Sequence, residues 1–364
     1  MPEKKFSIGK FLVALAFVGG LFITLWVRRP QVEMEIIQGP TMGTVFRVVY
    51  FADENSPERS VVAEGVKAVL DQVNQEMSTY IQTSVISRIN QSRDGDWFQL
   101  PEEFTKVMYV SMEVARKTNG FFDPTIGPLV NLWGFGSDGE RVIPSDDKIR
   151  QKMEYVGYDQ VIEFDSEQRR LRKIHPKAYL DFSATAKGHG ADMVSDYLLE
   201  LGLSDHLVEI GGDLRTRGNR RGDNWMVGLE LPRPNGSMAV RPIPVNDMAI
   251  VTSGSYRNFF EQDGQHFSHT IDFRTGRPID HPLISATVVD PELSLLADTW
   301  ATAFMAMGLE ESLRIAEELE IAAFFIAFEV DDETPQSSGL GQRNVVNTKV
   351  NKVSTTAFKK LFGF

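Results

Sequence analysis

The stretch DFSATAKGHG, residues 181–190, connects an aspartate to a predicted helix through small and hydroxyl residues. That helix is predicted to begin near Ala186 and to end at Gly202, because apolar side chains recur between them at three- and four-residue intervals. The N–H groups left free at a helix N-terminus attract phosphate. Lys187 and the neighbouring hydroxyls therefore favour an anion site, although capped helices that begin with small residues are also common.

A second apolar helix, predicted over Ser294–Met307, carries two polar side chains four residues apart. Asp298 and Thr302 share one face of this helix. A carboxylate and a hydroxyl suit Mg²⁺, which keeps several water ligands and binds substrate phosphates. A solvated stripe, or a carboxylate that caps a neighbouring element, explains the pair equally well, and the helix alone leaves these interpretations open.

The rest of the chain mixes helices and strands. Before residue 181 the pattern predicts a strand, turn and strand at Glu35–Val49, a helix with Ser56 as N-cap and Pro57 at its first position, and a helix at about 101–118. After Gly202 it predicts strands at Leu207–Arg215, Ala249–Ser253 and His266–Phe273, a helix at Leu309–Glu320, a strand at Ile321–Val330 and a terminal element at Thr355–Phe362. Gly211 and Gly212, which lie between acids, predict a bulge or tight turn.

Composition is that of a folded globular protein, with 42% hydrophobic and 24% charged residues. The formal charge of -12 argues against a nucleic-acid partner, because a phosphate backbone selects for basic surfaces. An acidic protein that handles a phosphorylated ligand usually needs a cation to offset the repulsion. The sequence has no cysteine, which excludes disulfides, thiolate metal sites and a catalytic thiol.

The N-terminus carries an almost purely apolar run at residues 11–27, with lysines before it and Arg28 and Arg29 after it. As a helix, this run would span roughly 25 Å, near the lower limit for crossing a bilayer. A cleaved signal peptide is the alternative, but the residues after the run offer no small-x-small cleavage site. We expect residues 1–30 to form an uncleaved anchor, 31–364 to form the folded domain, and about 331–345 to form a polar surface loop within it.

Two further patterns suggest functions that the sequence does not favour. Glycines at 134, 136 and 139 match the G-x-G-x-x-G loop of dinucleotide-binding folds, but no strand precedes them and Pro144 follows within five residues. His266 and His269 lie three apart, which on a strand points them to opposite faces and makes a shared metal improbable. One surface and one packed histidine is the simpler interpretation, with a catalytic role for His269 as the alternative.

Taken in order, these segments resemble the ApbE family of FAD:protein FMN transferases over about residues 36–362. The resemblance rests on Met42–Thr44, Glu76–Tyr80, Phe122–Thr125 with Gly127 and Pro128, Asp181 with Ala184, Ala186, Lys187 and Gly188, Glu209–Leu214, His269–Pro278 and Asp298–Ala303. Thr185 departs from the family pattern, because many relatives carry isoleucine there.

The resemblance implies an α+β fold of two interlocked mixed α/β subdomains, behind the N-terminal transmembrane anchor, with FAD in the cleft between them. It also implies site residues by position. The flavin and nucleotide contacts would be Met42, Tyr80, Phe121, Phe122, Asp123, Asp181, Lys187 and Ile271. The Mg²⁺ ligands would be the backbone oxygen of Ala184 and the side chains of Asp298 and Thr302.

The implied activity is Mg²⁺-dependent transfer of the FMN half of FAD to a Thr or Ser hydroxyl of a target protein, with release of AMP. Mg²⁺ and Lys187 would offset the charge that develops on the leaving AMP. A hydroxyl is a weak nucleophile and needs a base, for which His269 and Asp272 are the candidates. The alternatives are an FAD pyrophosphatase that gives FMN and AMP, and a non-catalytic flavin-binding protein.

The same resemblance implies an acceptor of a particular kind, a membrane redox subunit with a Ser/Thr-rich flavinylation motif. The apolar run at residues 11–27 and its basic flanks predict attachment to a bacterial inner membrane, with the catalytic domain in the periplasm. The sequence itself supports this topology only through a small excess of basic residues before the apolar run.

Overall fold

The computed structural model describes residues 32–137, 140–233, 236–255, 258–262, 265–329 and 349–363. The predicted anchor at 1–30 and the predicted polar loop at about 331–345 lie outside these residues. None of the helices within the described ranges is both long enough and apolar enough to cross a bilayer.

The strands of the described residues are mostly short and are joined by tight turns. In chain order they are β1 Glu33–Thr41, β2 Thr44–Ala52, β3 Phe98–Gln99, β4 Ile162–Asp165, β5 Arg170–Lys173, β6 His206–Ile210, β7 Asp213–Arg217, β8 Met226–Arg233, β9 Gly236–Pro244, β10 Ala249–Gly254, β11 Phe259–Gln262, β12 Gln265–Ser268, β13 Ile271–Asp272, β14 Arg277–Pro278, β15 Leu283–Asp290, β16 Ala322–Phe328 and β17 Val350–Ser354. The helices are α1 Arg59–Met77, α2 Val85–Gln91, α3 Glu102–Lys117, α4 Gly127–Leu132, α5 Asp146–Met153, α6 Ala186–Glu200, α7 Ser294–Met307, α8 Leu309–Glu318 and α9 Thr356–Phe362.

Eight strands form one sheet in the order β1-β2-β6-β7-β10-β15-β16-β17, and each neighbouring pair is antiparallel. Antiparallel strands with separately packed helices define an α+β protein, which confirms the class predicted from the sequence. A smaller sheet in the order β3-β5-β4 lies outside the main sheet.

Side chains of the main sheet alternate between two packed faces. On β2, Val48 and Tyr50 are buried in the core that α1 and α6 complete. Val49 and Phe51 belong to the opposite core, where Phe51 packs 5.9 Å from Trp225 between ring centroids. The sheet is therefore the central layer of the molecule, with helices α1, α6 and α7 on the face that also carries the site described below.

A third core joins α1, α2 and α3 to the small sheet, with Phe104 and Phe182 in contact at 5.0 Å between ring centroids. Val73 of α1 and Leu295 of α7 are part of this core, although α1 and α7 also pack against the main sheet. Each of these helices contributes to this core and to a core against the main sheet, so the packing does not divide the chain into two separate subdomains. The two interlocked subdomains therefore stay a prediction.

The predicted start of α1 is wrong. The helix begins at Arg59, and the side chain of Ser56 caps no helical N–H group. Instead, the Ser56 hydroxyl accepts a hydrogen bond from the Asp53 N–H at 2.9 Å and donates to the Asp53 carboxylate at 3.1 Å. Local turn bonds of this kind compete with helix capping for serine side chains.

The predicted strand His266–Phe273 is also interrupted. Its first part is β12 and its last part is β13, so His269 lies between two short strands and not within one. His266 packs against the Phe259 ring at 4.2 Å between centroids, so it is not the surface residue that the simpler interpretation expected. Strand alternation therefore does not apply to His266 and His269. His269 and Ile271 line one cavity.

Candidate functional site

A cavity of about 820 Å³ opens beside the β1–β2 turn, between the first turn of α6 and one face of α7. Twelve of the thirteen residues predicted for the site line it. They are Met42, Tyr80, Phe121, Phe122, Asp123, Asp181, Ala184, Lys187, His269, Ile271, Asp298 and Thr302. The structure thus gathers residues that lie up to 260 positions apart in the chain, and Asp272 is the exception.

Glycine allows the two helices that frame this cavity to approach closely. A Cβ atom at Gly188 would lie 2.3 Å from the carbonyl oxygen of Ser294, far inside the contact distance. Without that side chain, the Gly188 N–H donates to the Asp298 carboxylate at 3.1 Å. The glycine in the DFSATAKGHG stretch therefore brings the metal candidate of α7 to the N-terminus of α6.

Three charged side chains meet at this contact, and we call Lys187, Asp213 and Asp298 the cavity cluster. The Lys187 Nζ lies 2.6 Å from the Asp213 carboxylate and 3.3 Å from the Asp298 carboxylate. Asp213 and Asp298 are 2% and 1% exposed, so water screens their charges little. When all three are ionised, two carboxylates share one ammonium and the cluster keeps one net negative charge.

That charge excess perturbs the pKa values of the cluster. Burial, and then the negative charge of Asp213, hold the pKa of Asp298 well above its usual range. Burial opposes the charge of Lys187, but the Asp213 and Asp298 carboxylates outweigh it, so the pKa of Lys187 is raised. Lys187 therefore stays protonated at neutral pH, and the unbalanced charge belongs to the carboxylates.

The donor set fits a hard divalent cation. Asp298 supplies a buried carboxylate, Thr302 lies one turn along α7 with its hydroxyl 3.3 Å from that of Ser253, and Ala184 lines the cavity from the segment before α6. Within the described ranges no three His, Cys, Asp or Glu side chains group as a metal site. A cation held by these residues would therefore take its remaining ligands from water or substrate, as Mg²⁺ commonly does.

His269 is presented to the cavity as a neutral base. Its Nδ1 lies 2.9 Å from the carbonyl oxygen of Asn258, which can only accept, so Nδ1 carries the proton and Nε2 keeps its lone pair. Burial and then the positive charge of Lys187 lower the pKa of His269, against the opposing effect of the Asn258 hydrogen bond. The imidazole is consequently uncharged at neutral pH and can accept a proton at Nε2.

Asp272 does not reach the cavity. Its carboxylate accepts hydrogen bonds from the backbone N–H, Nε and Nη2 of Arg274, at 2.9, 3.0 and 2.8 Å. These bonds hold the turn between β13 and β14, and Asp272 is not among the residues that line the cavity. The prediction of Asp272 as a base candidate is therefore not supported, and His269 is the candidate that remains.

Aromatic side chains form the apolar part of the cavity wall. Phe121 lies edge-on to Phe273 at 5.4 Å between ring centroids, and the Arg274 guanidinium lies 4.5 Å from the centroid of the Phe121 ring. Tyr80 is 71% exposed, so one face of its ring is free for a flat ligand. Met42, in the β1–β2 turn, has a positive φ of 49° that points to a constrained backbone.

Two of the predicted binding aspartates already have partners within the chain. Asp123 accepts from the N–H and hydroxyl of Thr125 at 2.7 and 2.6 Å and from the Tyr158 N–H at 3.0 Å. Burial raises the pKa of Asp123 to about 6. Asp181 accepts from the Ser183 N–H at 2.8 Å, which shapes the loop before α6. Both line the cavity, but Asp123 first serves to hold its own loop.

Sequence reasoning assigned no role to Asp213, although its carboxylate is the nearest partner of Lys187. The available signal was the pair Gly211 and Gly212, which predicted a tight turn beside acids. The turn is confirmed, with φ values of 58° and 98°, and it joins β6 to β7. The sequence could not show that this turn places the Asp213 carboxylate against Lys187 of α6.

Comparisons with known proteins agree with this architecture. The model of the ApbE family matches residues 42–325. An FAD:protein FMN transferase of Vibrio cholerae serotype O1 is 36% identical over 318 residues, covering 87% of this chain and 93% of that protein. One of Haemophilus influenzae is 35% identical over 329 residues, covering 89% and 93%. The solved flavin transferase ApbE from Vibrio cholerae superposes with a TM-score of 0.80 at 33% identity, covering 91% of this chain and all of that one. The resemblance predicted from the sequence is confirmed, and the chain belongs to the ApbE family.

Proposed function

We propose that this protein is an FAD:protein FMN transferase that depends on Mg²⁺ and uses a threonine or serine hydroxyl of another protein as acceptor. One observation carries the proposal. The same cavity contains a buried cluster of two carboxylates around one lysine and a histidine whose Nε2 can take a proton. The relatives named above, which are FAD:protein FMN transferases, support the same class of reaction.

The cavity suits FAD in size and lining. Its volume of about 820 Å³ falls within the range of roughly 300 to 1,000 Å³ typical of small-molecule and cofactor sites. Tyr80 and Phe121 offer ring faces or edges, and Met42 offers a thioether, which are groups that pack well on flat aromatic ligands. Lys187, with its raised pKa, keeps a positive charge on the cavity wall for the pyrophosphate.

In the proposed reaction, the acceptor oxygen attacks the phosphorus of the FMN half of FAD. The bond from that phosphorus to the bridging oxygen breaks, and AMP leaves with the bonding electron pair. The Nε2 of His269 takes the proton that the acceptor hydroxyl loses. The Asn258 carbonyl holds the Nδ1 proton throughout, so the ring remains oriented as it becomes cationic.

The metal candidates have a defined part in this proposal. Mg²⁺ would be held by the carbonyl of Ala184 and the side chains of Asp298 and Thr302, and when bound it supplies positive charge that offsets the charge of the pyrophosphate. The chain orients Asp298 through the Gly188 N–H and orients Thr302 through Ser253.

The test is incubation of the purified protein with FAD, Mg²⁺ and a redox subunit that carries a Ser/Thr flavinylation motif. Fluorescent flavin that stays on the acceptor after denaturation, with an equal amount of AMP, is the expected result. Free FMN and AMP with an unmodified acceptor would instead identify an FAD pyrophosphatase. No AMP release at saturating FAD and Mg²⁺ would favour a non-catalytic flavin-binding protein.

The location of the enzyme is a separate part of the proposal. Residues 1–30 would anchor it in a bacterial inner membrane, with the catalytic domain in the periplasm near membrane redox subunits. The apolar run at 11–27 and its basic flanks motivate this assignment. Protease added to spheroplasts should degrade the domain, and protection of the domain would reverse the topology.

A further inference from the structure

Asp213 is a buried carboxylate at the cavity cluster that the proposed reaction does not use. Its side chain is 3% exposed, and its oxygen lies 2.6 Å from the Lys187 Nζ, against 3.3 and 3.4 Å for the two oxygens of Asp298. Lys187 is therefore held more closely by Asp213 than by the metal candidate. This inference rests on the function proposed above and concerns how that site is prepared.

The backbone fixes the place of Asp213. It pairs with Ile210 across a hairpin whose two central residues are Gly211 and Gly212, both in the left-handed region. The turn is seated against the end of β2, because a Cβ at Gly211 would lie 2.9 Å from the side chain of Thr44. A carboxylate on so short a turn has little freedom, and it acts as a fixed anchor for the longer lysine side chain.

Asp213 changes the charge balance between Lys187 and Asp298. If Asp298 were the sole partner of Lys187, the two would form a neutral pair, and an ammonium would compete with any cation for the same carboxylate. Asp213 draws the ammonium towards itself and adds a second negative charge. In a buried site the energy of such charges is large, so the added carboxylate favours a divalent cation.

We propose that Asp213 is a positioning residue that holds Lys187 towards itself and adds a second carboxylate to the cavity cluster, so that the Asp298 carboxylate is left for a divalent cation. Groups that support metal ligands typically change metal affinity by about 10 to 100-fold when they are replaced. Asp213→Asn removes the charge while nearly conserving the shape. It should therefore weaken Mg²⁺ binding by about that factor.

The test measures Mg²⁺ binding to the full chain by isothermal titration calorimetry without FAD, so that no turnover is needed. Asp192→Asn is the matched control, because Asp192 is a buried aspartate on α6 that lies off the cavity, and this variant should bind Mg²⁺ like the wild type. Mg²⁺ affinity of folded Asp213→Asn within twofold of the wild type would overturn the inference. If Asp213→Asn binds Mg²⁺ as tightly as the wild type, and the wild type binds Mg²⁺ and releases AMP, then only the inference about Asp213 fails and the proposed function stands.

A second variant decides the matter if Asp213→Asn does not fold. Asp213→Glu keeps the charge but moves it by one methylene, so Lys187 should shift while the cluster stays anionic. Mg²⁺ affinity close to that of the wild type, with a lower kcat for AMP release and little change in the KM for FAD, is the expected pattern. A variant with unchanged kcat would show that the position of Lys187 does not depend on Asp213.

Discussion

Helix α6 takes part in two buried polar clusters of opposite design, one at its first turn and one near its middle. The cavity cluster lies at its first turn. Farther along, Asp192 and Ser195 join His206 and Arg215 in what we call the core cluster. Asp192 accepts from the N–H groups of Ser294 and Leu295 at 2.8 and 2.9 Å and lies 3.8 Å from Arg215. The Ser195 hydroxyl lies 2.8 Å from His206 Nε2, whose Nδ1 donates to the carbonyl of Leu203 at 2.6 Å.

The difference shows how burial of the same chemical groups serves different ends. In the core cluster the carboxylate, the hydroxyl and the imidazole each meet hydrogen-bond partners that match them, so these groups stabilise the fold, whereas the buried Nη2 of Arg215 has no partner within the described part of the chain. In the cavity cluster two carboxylates share one lysine, so one carboxylate charge has no partner within the cluster when all three groups are ionised. Mismatched charge beside a cavity therefore indicates function, whereas matched polar groups away from it indicate structure.

The sharpest test of this comparison is Asp298→Asn. We expect Mg²⁺-dependent AMP release to fall by about 10³-fold or more, because the variant loses the charge of a proposed metal ligand. The free energy of unfolding should stay the same or rise, since a desolvated charge is removed and the amide oxygen can still accept from Gly188. Both quantities are measurable, by single-turnover kinetics and urea titration. Wild-type activity of the folded variant across a Mg²⁺ titration would remove the metal role.

His269→Ala should slow FMN transfer by about 10² to 10⁴-fold, the usual contribution of a positioned base. FAD affinity should change little, because a base acts on the acceptor proton in the transition state. Fluorescence quenching gives the affinity and single-turnover AMP release gives the rate. Asp272→Asn is the control and should keep the wild-type rate, since Arg274 occupies that carboxylate. A loss of affinity at unchanged rate would make His269 a binding residue.

Asp192→Ala should lower the stability and leave the activity unchanged, which is the opposite of the result expected for Asp298→Asn. Two N–H groups at the start of α7 lose their acceptor and Arg215 loses its buried partner, so the free energy of unfolding should fall by about 3 kcal/mol. The loss should be larger at pH 5 than at pH 8, because burial raises the pKa of Asp192 to about 7 and the stability contributed by such a carboxyl is lost as the pH rises through that value. AMP release per folded molecule should remain near that of the wild type. A fully stable variant would mean that the core cluster contributes no stability.

His206 provides the most specific test, because one titrating group is isolated by its pH dependence. Burial lowers its pKa to about 4 from an ordinary 6.5, so the folded protein keeps it neutral while the unfolded chain takes up a proton. Stability from this group is present above pH 6.5 and is lost as the pH falls towards 4, by about 3 kcal/mol in total. The stability difference between wild type and His206→Gln, from urea titrations at pH 7 and pH 4, should change by that amount. A constant difference would exclude His206 as the titrating group.

The amino-acid sequence by itself determined the elements whose signals are local. Apolar spacing and a closing glycine predicted α3, α6 and α7 within a few residues, because helical hydrogen bonds and side-chain faces depend on neighbours three or four positions away. Two consecutive glycines predicted the β6–β7 turn for the same reason. The residue types along these elements were also sufficient to recognise the family and to name most of the side chains that line the cavity.

Tertiary structure alone decided which partner each of those side chains meets. Lys187 and Asp298 are 111 positions apart, and the Asp192 carboxylate reaches N–H groups 102 and 103 positions away. Nothing local marks these pairs, because a side chain selects its partner by distance in the packed molecule and not by distance along the chain. For the same reason the sequence could not foresee that Arg274 would take the carboxylate of Asp272, or that Asp213 would hold the lysine of the cavity cluster.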